Sequence, residues 1–173
     1  MINELQRKIL NALDQVYLFK NSLIIDYRTY CLVSISLNVP GWPKTNKTIQ
    51  RLFKQCLNDI LSKIRLEYLG MITNDAGEYC YFQSMNDPYL LKSLFCVMEN
   101  NQPYYRVIDI DVYSSNNKVI SRNEIGYSSR ACFLCNKSCE VCIATQSHSK
   151  YELRKAFYQK MQSFYNLITV ETP

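Results

Sequence analysis

Residues 106–112 read RVIDIDV, a β-branched run in which Asp109 and Asp111 stand one residue apart. Side chains of a strand alternate between its two faces, so both carboxylates fall on one side of a strand whose other members are Val107, Ile108, Ile110 and Val112. Like charges paired on an apolar strand require a cause, and a bound cation is one. The bland alternative is an exposed strand whose Asp-x-Asp faces solvent or lysines.

Working outward, the neighbouring segments alternate between helical and extended patterns, which makes the chain α+β. Upstream, Asp87-Pro88 caps and opens a helix to about Glu99. Before it, strands are expected near 66–73 and 78–83, joined by the turn NDAG. A helix capped by Thr45 or Asn46 carries Ile49, Leu52, Phe53, Cys56, Leu57, Ile60, Leu61 and Ile64 as one apolar stripe. The breaker NVPGWPKTN separates it from a strand over 30–37, YCLVSISL, and a first helix spans 3–20 through Leu5, Ile9, Leu13, Val16 and Tyr17. Downstream, SSNN turns the chain toward a second strand near 118–121, and Ser149 with Glu152 makes a capping box for the last helix. No internal repeat interrupts this order.

The chain has 173 residues, 47% of them hydrophobic, which supports a single domain over 1–173 with a sizeable core. Twenty Lys and Arg against 15 Asp and Glu give +5, an excess that suits an anionic small molecule, an acidic protein or nucleic acid equally. The charged start MINELQRKILNALDQ has no signal-like apolar region, and no run of 18 apolar residues occurs. A soluble cytoplasmic protein with no membrane partner is expected. Eight cysteines then point to reduced thiols or a metal site rather than disulfides.

Their spacing favours a metal. CFLCNKSCEVCIATQSH places Cys132, Cys135, Cys142 and His148 as C-x2-C-x6-C-x5-H, and His148 is the chain's only histidine. Three thiolates and an imidazole form a closed tetrahedral set for structural Zn2+, which would fold a loop over 130–148 that has little apolar content. Cys139 could replace one ligand, and the alternative is four reduced residues in a surface loop. Cys31, Cys56, Cys80 and Cys96 read as small core hydrophobes.

Around the aspartate pair, Arg106 precedes on the same strand while Arg122 and Arg130 follow, three cations able to hold a triphosphate through bidentate hydrogen bonds. Lys44 lies by a glycine-containing turn at a helix start, where anions are attracted. Asp109 and Asp111 with Mg2+ would serve phosphoryl or nucleotidyl transfer. Each cation also has a plain reading as a surface charge or a tie to the cysteine loop.

The stretch YRVIDIDVYSSNNKVISRNEIGYSSRACFLCNKSCEVCIATQSH resembles the signature region of the apo-citrate lyase phosphoribosyl-dephospho-CoA transferases, the holo-acyl-carrier-protein synthases of citrate lyase. Arg106, Asp109, Asp111, Val112, Ser121, Arg122, Arg130, Cys132, Cys135, Cys142 and His148 match in order and spacing. CLVSISLNVPGWPKTNKTIQRLF is similar to the family's strand, turn and helix, with Pro40, Gly41 and Lys44 in place, and Glu99 falls where the family often has a glutamate. Tyr105 stands where the family has glycine, Ser128 and Ser129 replace a common proline pair, and NALDQV lacks the usual Arg-Glu-x-x-Arg character.

The resemblance implies a nucleotidyltransferase-like α+β fold, a mixed sheet flanked by helices, with the Cys/His loop before the C-terminal helix. It also implies a reaction. The 2'-(5''-phosphoribosyl)-3'-dephospho-CoA group passes from its triphosphate precursor, triphosphoribosyl-dephospho-CoA, to a serine of the apo acyl-carrier subunit of citrate lyase, and diphosphate is released. Mg2+ on Asp109 and Asp111 would serve that step, and Glu99 is a candidate base. Two rivals are the equivalent synthase of malonate decarboxylase and a non-enzymatic zinc-binding module for nucleic acid or protein. The basic residues form no dense stripe, so nucleic acid is not the expected partner.

Overall fold

The structure is a computed structural model that describes residues 3–27, 31–132, 134, 135 and 137–170. Tyr30, the first residue of the expected strand, lies outside these. Strands β1 (Cys31–Leu37), β2 (Glu67–Asn74), β3 (Gly77–Ser84) and β4 (Ile108–Tyr113) form one sheet in the order β2-β3-β1-β4. The α+β class is as expected, but every pairing among the described strands is antiparallel where a mixed sheet was anticipated. β3 and β4 do run parallel to each other, joined by a helical crossover. β1 fills the gap between them, so their parallel relationship never becomes a hydrogen-bonded pair.

One face of the sheet carries Val33, Ile35, Cys80, Phe82, Ile108, Ile110 and Val112. It packs against helices α2 (Lys47–Lys63), α3 (Pro88–Asn101) and α5 (Lys150–Val170), whose Ile49, Leu52, Phe53, Ile60, Leu91, Phe95, Phe157 and Met161 complete the main core. Burial of this apolar surface is the principal source of stability. α2 is capped by Asn46, whose side chain accepts from Ile49 N at 2.9 Å. Its stripe is buried apart from Leu57, which is partly so, and Leu61, which sits one residue past Ile60 and so turns about 100° toward solvent. Asp87 caps α3 as expected, accepting from the amides of Tyr89 and Leu90.

The opposite face is covered only in part. Helix α1 (Glu4–Tyr27) extends well past residue 20 and lays Phe19, Leu23 and Ile24 on Leu32, Leu69, Tyr81 and Tyr113. Asn3 and Gln6 exchange reciprocal bonds of 2.8 Å at its start. Between β2 and β3 the turn closes with Asn74 Oδ1 accepting from Ala76 N, and Gly77 takes φ +125°, a region that strains any side chain.

The expected strand near 118–121 does not form. Val119 makes an isolated bridge to Tyr113, and only Ile120 N reaches β4, at Val112 O. The ladder stops because Glu124 accepts from Ser121 N and bonds Lys118, folding the chain into a 3-10 turn over Asn123–Ile125. Ser149 and Glu152 do form the capping box of α5. Ahead of it lies a short unanticipated helix, α4 (Cys139–Ala144), capped by Ser138. The cysteines at 31, 56, 80 and 96 are all buried, and burial raises the first three thiols to about 11, 12 and 12, so they remain neutral core members.

Candidate functional site

β4 alternates as its sequence demands. Ile108, Ile110 and Val112 enter the main core, whereas Asp109 and Asp111 emerge on the opposite face, where α1 leaves the sheet open. Register places Ser36 opposite Asp109 and Ser34 opposite Asp111, with Tyr79 and Tyr81 next across the sheet. The site is therefore two rows, Tyr79–Ser36–Asp109 and Tyr81–Ser34–Asp111. The serines are small enough to leave space beside the carboxylates.

Asp109 keeps 47% of its side chain exposed. Asp111 is more enclosed, and burial, then the charge of Asp109, push its carboxyl above the usual range against the pull of Lys92, Arg130 and Lys20. Two crowded carboxylates form an all-oxygen set that suits a hard divalent cation, which would relieve their repulsion. Lys92 is buried and donates to Ile110 O at 2.7 Å, capping the free edge of β4 behind the pair. Lys20 reaches over from α1, its ammonium 4.6 Å from the Tyr113 ring centre.

Glu99 organises the arginines. Buried at the end of α3, it is ion-paired with both Arg122 and Arg130, and Arg130 also reaches Asp109 Oδ1 at 3.2 Å. Each Glu99 oxygen is occupied by a guanidinium group, so Glu99 positions cations rather than standing ready as a base. Arg122 is further tied to Ser128 O at 3.0 Å.

Arg106 sits elsewhere than expected. It belongs to a 3-10 turn, Pro103–Val107, not to the aspartate strand, because Pro103 opens a tight turn before β4 begins. Its guanidinium donates to Ala131 O at 2.6 Å and to Cys132 O, so it anchors the cysteine loop. Tyr105, in the family's glycine position, is wholly core: its hydroxyl bonds Asp59 and accepts from Lys63 at 2.9 Å, away from the aspartates.

The cysteine loop is a hairpin. Cys132 N donates to Lys137 O and Cys139 N to Arg130 O, which turns the chain back on itself. The donor atoms of Cys132, Cys135, Cys142 and His148 all lie within 4.8 Å of one another, with Cys135 Sγ 3.4 Å from both Cys142 Sγ and His148 Nε2. The two 3.4 Å separations are close to the edge of a tetrahedron built on bonds of about 2.0–2.3 Å, so the cluster could hold a metal such as zinc. Cys139 lies outside this group.

Lys44 is half-buried and donates to Val39 O at 2.6 Å, in a loop whose carbonyls at Pro40 and Pro43 are held by Arg154 of α5. Burial and the nearby Arg154 lower its ammonium below the usual lysine value. Between this loop and the hairpin opens a cleft of ≈ 780 Å³ that Arg130 also lines. Of the expected residues, Asp109, Asp111 and Arg130 thus meet at one point, Lys44 faces Arg130 across the cleft, and Arg106 and Arg122 stand behind as supports. Lys92 and Lys20 were missed as site residues. Lys92 alone carried a signal, a lysine on the apolar face of α3 beside Leu91, Phe95 and Cys96.

A family model described as apo-citrate lyase phosphoribosyl-dephospho-CoA transferase matches residues 5–164, a span that holds the whole site. The chain belongs to this family. It is 30% identical over 162 residues to a probable apo-citrate lyase phosphoribosyl-dephospho-CoA transferase of Streptococcus pyogenes serotype M3, covering 90% of this chain and 81% of that protein. It is 27% identical over 139 residues to Protein CitXG of Leuconostoc mesenteroides subsp. cremoris, covering 78% of this chain but only 30% of that longer relative. A Vibrio cholerae serotype O1 transferase of the same description is 23% identical over 124 residues. As an apo-citrate lyase phosphoribosyl-dephospho-CoA transferase family member the chain is a transferase, and no helix among its described residues is long and apolar enough to cross a membrane.

Proposed function

We propose that this chain moves the phosphoribosyl-dephospho-CoA group from triphosphoribosyl-dephospho-CoA to a serine of the citrate lyase acyl-carrier subunit at the Asp109–Asp111 face, as a nucleotidyltransferase. The observation that carries this reading is the register that sets both carboxylates on the open sheet face beside two serines and against Arg130. Asp109 and Asp111 would hold Mg2+, which when bound neutralises charge on the phosphate oxygens.

The remaining work falls to the chain's side chains. Arg130, fixed by Glu99, presents its guanidinium to the phosphates, and Lys44 supplies a second cation from across the cleft. The carrier's serine oxygen forms a bond to the α-phosphorus as the bond to the diphosphate bridge breaks. The diphosphate leaves with the electron pair, and the serine proton is released to solvent. Arg122 holds Glu99 and Arg106 holds the hairpin, so both act by positioning. Zn2+ is the metal we assign to the four-residue Cys/His cluster, where it would fix the hairpin that carries Arg130, and the reduced thiols fit a cytoplasmic setting.

Mass spectrometry of the carrier tests this. Incubation with the chain, Mg2+ and the triphosphate precursor should add the mass of the phosphoribosyl-dephospho-CoA group, and Asp109→Asn or Asp111→Asn should abolish the gain. No gain with the unaltered chain, or full gain with both variants, would refute the reading. The acyl carrier of malonate decarboxylase, offered in parallel, should remain unmodified.

A further inference from the structure

We propose that the cleft between the Pro40–Lys44 loop and the cysteine hairpin seats the dephospho-CoA portion of the substrate, with the pyrophosphate facing Lys44 and Lys150. This rests on the transferase reading above and says where the non-reacting part of the substrate goes.

Arg130 lines the cleft and touches Asp109 at 3.2 Å, so a ligand filling the cleft brings its reacting end to the carboxylates. Another cavity, of ≈ 540 Å³, lies by Arg65, Glu67 of β2 and Gln83 of β3, with β1 between it and β4. A cleft of ≈ 780 Å³ takes a nucleotide bearing an extended arm, whereas a departing diphosphate would rattle in it.

Lys44, Arg130 and Lys150 line the cleft with no carboxylate among the described residues, and these three cations outweigh the single net negative charge that the adjoining three-thiolate, one-imidazole cluster would carry with Zn2+, which fits a dianionic pyrophosphate. Among the described residues Lys44 donates one N–H to Val39 O, and its ammonium has further N–H groups to offer a ligand. An anion there would also offset the repulsion it feels from Arg154. The apolar remainder is Val39, Pro40, Leu153 and Ile143, the last 74% exposed on a helix that gives it nothing to pack against. An adenine ring or pantetheine arm would cover it.

Remote binding of this kind supplies free energy that orients the reacting group. The experiment is calorimetric binding of dephospho-CoA alone, without Mg2+ or carrier, to the full metal-loaded chain. Binding is expected, at least tenfold weaker in Ile143→Glu and in Lys150→Glu, two surface changes whose thermal transitions should match the parent's. Absent binding, or binding untouched by both cleft variants, overturns the proposal. A rise in the KM for the carrier with dephospho-CoA affinity unchanged also overturns it, since the cleft would then belong to the carrier. Failure of the two readings is separable: cleft-dependent binding without any mass gain on the carrier sinks the reaction alone, and transfer indifferent to both cleft variants sinks the cleft alone.

Discussion

Asp111 lies where function and stability oppose each other. Burial and the neighbouring Asp109 raise its carboxyl above the unfolded value, so the fold is most favoured with Asp111 protonated, and stability is lost as pH rises through the raised folded pKa. Asp111→Asn should therefore raise Tm at neutral pH by ~2–4 °C while ending transfer, a pairing that calorimetry and the carrier mass assay can check. Because protons and Mg2+ compete for this carboxylate pair, raising the Mg2+ concentration should move the acid limb of the unaltered chain's pH–rate profile to lower pH. Glu99 is the opposite case. It is buried between Arg122 and Arg130, and Glu99→Ala strands both cations, so denaturant titration should show a loss of about 3 kcal/mol or more. The aspartate pair was legible in the sequence because period-two alternation needs only a strand. The Glu99 pairing was not, since its partners are 23 and 31 residues away and nothing local selects them.

Among the elements, the seating of α1 decides how much of the aspartate face stays open. Gly70 sits at the irregularity of the β2–β3 pairing, and a β-carbon there would meet Phe19 of α1 at 2.9 Å. Gly70→Ala should cost about 1–3 kcal/mol by overpacking, and Phe19→Leu in the same chain should recover much of it; a double-mutant cycle by denaturation measures this. An undiminished Tm in Gly70→Ala would mean that Phe19 moves aside freely. The element pattern itself was readable: the caps at Asn46 and Asp87 and the Ser149–Glu152 box are local chemistry and formed as expected. The segment near 118–121 misled because its alternation is too short to outweigh the Glu124 bonds that curl it into a turn. Arg106 misled likewise, since the 3-10 turn opened by Pro103 absorbs it before the strand starts.

For the molecule as a whole, the Cys/His hairpin is the piece with least core of its own, and it carries Arg130 into the site. Stripping metal with a chelator should lower Tm and reduce transfer, and readdition of zinc should restore both, with elemental analysis giving about one ion per chain. Chelation without effect on Tm would separate the cluster from folding. The sequence by itself determined the strand and helix alternation, the common face of Asp109 and Asp111, and the four metal-capable residues, because these follow from periodicity and short spacings. Tertiary structure alone decided the rest. β1 inserts between β3 and β4 and makes the sheet antiparallel, Tyr105 turns into the core, Arg106 becomes an anchor, and Lys44 and Arg130 come to share one cleft. Each is a contact between residues distant in the chain, set by which buried surfaces and charges satisfy one another and not by any local propensity.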